Sequence, residues 1–128
     1  MTTLFILLNH DISEAQREDA EKFGISRFLP LPPDLKAIWG SIPAEPDTID
    51  DILHPVKQWL GTNAAPGDFA LIQGDFGACW IMVNFAFENN LVPVYATTAR
   101  KAVEIRQADG SIKTVREFKH VRFRRYEK

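Results

Sequence analysis

The sequence predicts an α/β domain: a mostly parallel sheet with helices on both faces and a β-hairpin at its C-terminal end. Short apolar runs of strand length alternate along the chain with longer segments of helical period. That succession suits a parallel sheet, because each crossover must return over one face. Runs such as "TLFILL" and "FALI" are apolar throughout, as strands covered on both faces are. Near the end, Asp109-Gly110 separates two alternating segments, the strongest short-range hairpin signal.

"TLFILLNH" is the first strand, turning polar at Asn9 and His10 where it leaves the sheet. "DISEAQREDAEKFG" follows as a helix capped by Asp11 or Ser13, with acids in its first turns and Gly24 ending it. Prolines 30, 32 and 33 halt the next strand, "ISRFLPL", and Pro33 suits the first position of the helix "PDLKAIWGSI". After a loop holding Pro43 and Pro46, "DTIDDILHPVKQWLGTNA" sets Ile49, Ile52, Leu53, Val56, Trp59 and Leu60 at helical spacing. Pro55 is expected to kink or divide that helix, since it lacks an amide donor. "GDFALIQGD" forms the third strand and "FGACWIMVNFAFENN" the next long helix. "LVPVYATT" is a strand in which Pro93 belongs at the start or on an edge. "RKAVEIRQ", "ADGS" and "IKTVREFKHVRFRRY" close the chain as the hairpin. In its last strand Val115, Val121 and Phe123 are expected to face the core, leaving Arg116, His120, Arg122 and Arg124 as a basic stripe on the other face. Crossovers are expected to be right-handed.

The 128 residues are expected to form a single domain, 1–128, with 45% hydrophobic content enough for a packed core. The net charge of −2 hides a division: residues 1–99 carry 5 Lys and Arg against 13 Asp and Glu, and residues 100–128 carry 10 against 4. A basic end piece on an acidic body suggests a local anion-binding surface rather than affinity for large nucleic acids, or mutual neutralisation across a dimer. No apolar run is long enough to span a bilayer, and the first residues lack a secretory leader's basic flank, so the expected location is cytoplasmic. Cys79 has no partner for a disulfide or zinc site and is expected to be a small core residue. No carboxylate cluster or His/Cys spacing suggests a metal or other cofactor.

In open α/β sheets ligands lie beyond the carboxyl ends of the strands. Three such ends are chemically loaded: Asn9 and His10, Gln73 to Gly77, and Thr97, Thr98 and Arg100. Gly74 and Gly77 frame the start of the long helix, where unpaired amides and the helix dipole favour an anion. The spacing is neither a dinucleotide fingerprint nor a P-loop. Asp75 suits a helix N-cap, or else a ribose hydroxyl or proton acceptor; Arg100 suits bidentate phosphate binding, or else a surface ion pair. His10 has the intrinsic pKa of a general acid or base, though a polar strand cap is the plainer role. Trp39, Trp59 and Trp80 lie in apolar helical segments and are expected in the core or an interface. The helix bearing Trp80, Met82, Val83, Phe85 and Phe87 is apolar on nearly every side, so a two-fold dimer packed through it is expected.

"LFILLNH", "WGSIP", "LIQGDFGA", "MVNFAF", "VPVYATTAR" and "FKHVRFRRY" together resemble small accessory proteins of type III CRISPR systems, the Csx family numbered twenty. The resemblance covers nearly the whole chain, most specifically in "QGDFGA" and "ATTAR". It implies a Rossmann-like, CARF-like fold, a homodimer, and ring-nuclease action on a cyclic oligoadenylate, with cyclic tetra-adenylate the expected ring. The residues it implies for ligand binding are Asn9, Gln73, Gly74, Phe76, Gly77, Thr97, Thr98 and Lys101, with Asp75, Arg100 and His10 catalytic. The family carries serine where this chain has Asn9. Metal-independent cleavage by the ribose 2′-hydroxyl, leaving a 2′,3′-cyclic phosphate, is the expected chemistry. The alternatives are a protein that sequesters the ring without cutting it, and an interaction module with no nucleotide ligand.

Overall fold

The structure, a computed structural model, describes residues 1–128 apart from the side chain of Lys101. Its elements are β1 (Thr2–Leu7), α1 (Glu14–Lys22), β2 (Ile25–Pro30), α2 (Pro33–Trp39), α3 (Asp50–Asn63), β3 (Phe69–Ile72), α4 (Phe76–Glu88), β4 (Val92–Arg106) and β5 (Ile112–Arg125). The fold is α/β, with four helices and one mixed sheet ordered β2-β1-β3-β4-β5. All neighbouring strands run parallel except β4 and β5, which are antiparallel.

Alternation along the central strands sorts the core into two layers. Phe5, Leu7, Ala70 and Ile72 face α2, α3 and α4, while Leu4, Ile6, Phe69 and Leu71 face α1. Ser13, not Asp11, caps α1: its Oγ accepts from Gln16 N, and Gln16 Oε1 accepts from Ser13 N, a reciprocal capping box. Gly24 follows that helix at φ +83°, where glycine carries no steric cost. Among the described residues no helix is long and apolar enough to cross a membrane.

Three expectations need correction. Of the two outcomes expected at Pro55, division does not occur: α3 runs unbroken from Asp50 to Asn63, with Leu53, Val56 and Leu60 packed into the core. "VPVYATT" and "RKAVEIR" are not two strands but one, the fifteen-residue β4, because no glycine or proline interrupts it after Pro93 and β5 pairs with it to its end. Pro93 sits second in that strand, as its missing donor requires. The alternation expected of β5 also fails. Thr97 pairs with Arg122 and Thr98 with His120, so Val121 is an extra residue, a bulge that shifts the face presented by everything beyond it. Phe123 is core, but Val121 is 56% exposed, Val115 is only half-buried, and His120 leaves the basic stripe to pack against α1. There Asp19 Oδ2 accepts from Phe123 N at 3.0 Å and lies 3.1 Å from His120 Nε2.

Candidate functional site

The sheet order reverses between β1 and β3: the chain moves outward from β1 to β2 on one side and from β3 to β4 on the other. Connections therefore diverge above the carboxyl ends of β1 and β3 and leave a crevice there. A cavity of about 240 Å³ occupies it, bounded by Asn9 after β1, by Gln73, Gly74 and Asp75 after β3, and by Trp39 to Ile42 at the end of α2.

The cavity's wall is built from internal bonds. Trp39, 3% exposed, donates Nε1–H to the carbonyl of Gln73 at 2.9 Å, locking the turn after β3 onto α2. Gly74 passes that ring at φ +154°, and a Cβ there would stand 3.0 Å from Trp39 Nε1. Backbone conformation and close approach both require glycine. Gln73 Oε1 accepts from Ala96 N at 2.7 Å, so a side chain takes over the ladder where β3 stops and β4 continues. Asp75 is the N-cap of α4, its Oδ2 accepting from Ala78 N at 3.0 Å. The positive end of α4 is thus already answered by a carboxylate.

On the other side of Gln73 and Gly74 lies a larger cavity of about 570 Å³, walled by Phe76, Trp80 and Phe87 of α4 and by Tyr95 and Tyr126. Tyr126 donates its hydroxyl to Ile72 O at 2.6 Å and lies 4.8 Å from the Tyr95 ring. Burial, with the neighbouring Cys79 and Tyr95 adding to it, pushes the Tyr126 phenol up to about 12. Burial and the charge of Asp75 push the Cys79 thiol up to about 11, which makes it a weak nucleophile rather than a reactive one.

The expected site residues divide. Asn9, Gln73, Gly74 and Asp75 come together in the switch-point cavity, whereas Phe76, 95% exposed, lines the aromatic cavity instead. A Cβ on Gly77 would make only ordinary contacts, at 3.5 Å to Asp75 Oδ2 and Ile49 Cδ1. His10 does not join them. Its Nδ1 lies 2.9 Å from Asp11 O, and it lines a separate cavity with Arg17, Phe28 and Lys36. Thr97, Thr98 and Arg100 line none of these cavities, since they belong to the interior of β4 rather than to a turn beyond it. Thr97 Oγ1 donates to Arg122 O at 2.9 Å, and the Arg100 guanidinium sits 5.1 Å from the Phe118 ring. Lys101 lies outside the described residues. Among the described residues the switch-point cavity therefore carries amides, a hydroxyl and one carboxylate, but no cation.

Sequence reasoning placed Trp39 in the core without seeing that it carries the Gln73 turn, and it missed Tyr95 and Tyr126. The "WGSIP" block was a signal for the former. For the tyrosines the signal was their position, one at each strand's junction with the sheet.

A family model described as the uncharacterized protein MJ1673 family matches residues 2–124. The uncharacterized protein MJ1673 of Methanocaldococcus jannaschii is 46% identical over 127 residues, spanning 98% of each chain. No solved structure matches the chain.

Proposed function

Starting from the fact that the chain belongs to the MJ1673 family, we propose that it is a ring nuclease with a Rossmann-like, CARF-like fold and a closing β-hairpin. In this reading it binds cyclic tetra-adenylate and opens it without metal, ending a type III CRISPR signal in the cytoplasm. The observation that carries the reading is the meeting of Asn9, Gln73, Gly74 and Asp75 at the β1/β3 switch point, where an open α/β sheet holds its ligand.

A ligand with free ribose hydroxyls suits this cavity better than a bare phosphate would. Asp75 spends one oxygen on Ala78 N, and its other oxygen has no hydrogen bond among the described residues. That oxygen accepts the 2′-hydroxyl proton as the 2′-oxygen bonds to phosphorus. The P–O5′ bond breaks, a 2′,3′-cyclic phosphate remains, and solvent protonates the departing 5′-oxygen. Asn9, Ser41 and Gln73 orient the sugar; Arg100, outside this cavity on its own chain, is the expected partner of the charge growing on phosphorus, and His10 has no part in the step. Phe76 and Trp80, 95% and 70% exposed on α4, support a homodimer packed through that helix, which would bring two copies of the turn to one axis.

Incubation with radiolabelled cyclic tetra-adenylate in EDTA tests the reading. Linear products over many turnovers are expected from the native chain, and at least a hundredfold fewer from Asp75→Ser, which keeps a capping oxygen. Stoichiometric retention of intact ring would replace the enzyme by a sequestering protein. No retention at all would overturn the ligand assignment.

A further inference from the structure

We propose that the β4–β5 ribbon of one copy lies over the switch-point cavity of a second copy and brings Arg100 to it, so that each site is built from two chains. For its ligand chemistry this rests on the cyclic-oligoadenylate reading above. Its geometry does not.

The ribbon is a structure without a support. Beyond Val94, β4 has no ladder with β3, and from Thr98 to Arg106 its partner is β5 alone. Those nine residues rise about 30 Å at roughly 3.3 Å each, on the carboxyl side of the sheet where the cavity opens. Among the described residues none between Thr98 and Lys119 is buried. Ile105, Ile112 and Phe118 are 47%, 58% and 63% exposed. Two strands with no third strand or helix behind them are marginal in water, so this ribbon requires a covering surface.

Charge identifies the cover. The chain from residue 100 onward carries 10 Lys and Arg against 4 Asp and Glu, and the chain before it 5 against 13. Asp75 is the carboxylate that lines the cavity, while Glu45, Asp47, Asp50 and Asp51 follow Ile42 in the chain, with Asp50 paired to Lys57. A basic ribbon fits an acidic body, and a second copy supplies that body with the right sign and the two-fold reciprocity of an isologous interface.

The exchange also resolves a chemical deficit. Among the described residues the cavity has one carboxylate and no cationic side chain, so a phosphodiester there would lack a charged partner. On its own chain Arg100 stacks on Phe118 and reaches no cavity. Carried by a ribbon into the second copy's cavity, it supplies the missing charge.

Two experiments decide this. Mixing Arg100→Ala with Asp75→Ser chains by co-refolding should restore about one quarter of native turnover on cyclic tetra-adenylate, since half of the random pairs hold one intact composite site. A mixture no more active than either parent, with native protein active, overturns the exchange. The second needs no ligand: a photo-crosslinking phenylalanine analogue at Phe118 should join residues 39–49 or 73–80 of another chain, located by mass spectrometry of an isotopically mixed sample. Adducts confined to one chain, or a sedimenting monomer at micromolar concentration, overturn it. If the native protein leaves the ring intact while the inter-chain adduct forms, the nuclease reading fails and the exchanged ribbon stands.

Discussion

At the scale of single residues, the turn after β3 separates two kinds of glycine that look alike in sequence. Gly74 is held at φ +154° with the Trp39 ring against its α-carbon, whereas Gly77 has room for a methyl group. Gly74→Ala should therefore lower stability by at least about 1 kcal/mol, and Gly77→Ala should be neutral or stabilise by up to about 1 kcal/mol, because alanine is the better helix former. Urea midpoints of the two variants check the difference. Asp75 has a structural task and a chemical one, and substitution divides them. Asp75→Ala should cost about 1 kcal/mol through the lost cap, while Asp75→Ser should unfold close to the native midpoint and still lose cleavage. Asp75 was legible as a cap from its place before an apolar helix. The cation expected beside it was not in reach, because nothing in "ATTAR" announces that the strand carries on through it.

At the scale of elements, most of the order was legible and the departures have local causes. Buried runs, caps and prolines marked the parallel strands and helices, since those signals act within a few residues. The bulge opposite Thr97 and Thr98 depends on pairing between residues more than twenty apart, and the continuation of β4 on a ladder that reaches back from β5, which no local pattern encodes. The bulge has a measurable consequence at α1. It turns His120 and Phe123 toward the same carboxylate, so Asp19 fastens β5 to α1 through two bonds. Asp19→Ala should cost roughly 1–3 kcal/mol, as a buried amide and imidazole lose their acceptor. Amide exchange should accelerate at Phe123 while α3 keeps its protection, which distinguishes a loosened strand from a weakened core.

At the scale of the whole molecule, the fold is expected to fail first in alkali. Cys79 and Tyr126 have their proton-loss points raised in the folded chain, from 9.0 to about 11 and from 10.0 to about 12. The unfolded chain therefore ionises first, and stability that is complete below pH 9 should fall as the pH rises toward 12. Urea midpoints measured every half unit give the slope, and Tyr126→Phe should remove the later part of it. The same tyrosine joins the residues just past β5 to Ile72, at the carboxyl end of β3 beside Gln73. Gln73 itself holds Ala96 at the root of the ribbon while its backbone carbonyl is held by Trp39. A sugar hydroxyl that donates to the Gln73 side-chain oxygen shares that acceptor with Ala96, where the ribbon leaves the sheet. One amide thus ties three elements at a single point, since Gln73 meets α2 through its carbonyl and β4 through its side chain, and a loosening of any one of them is felt by the other two.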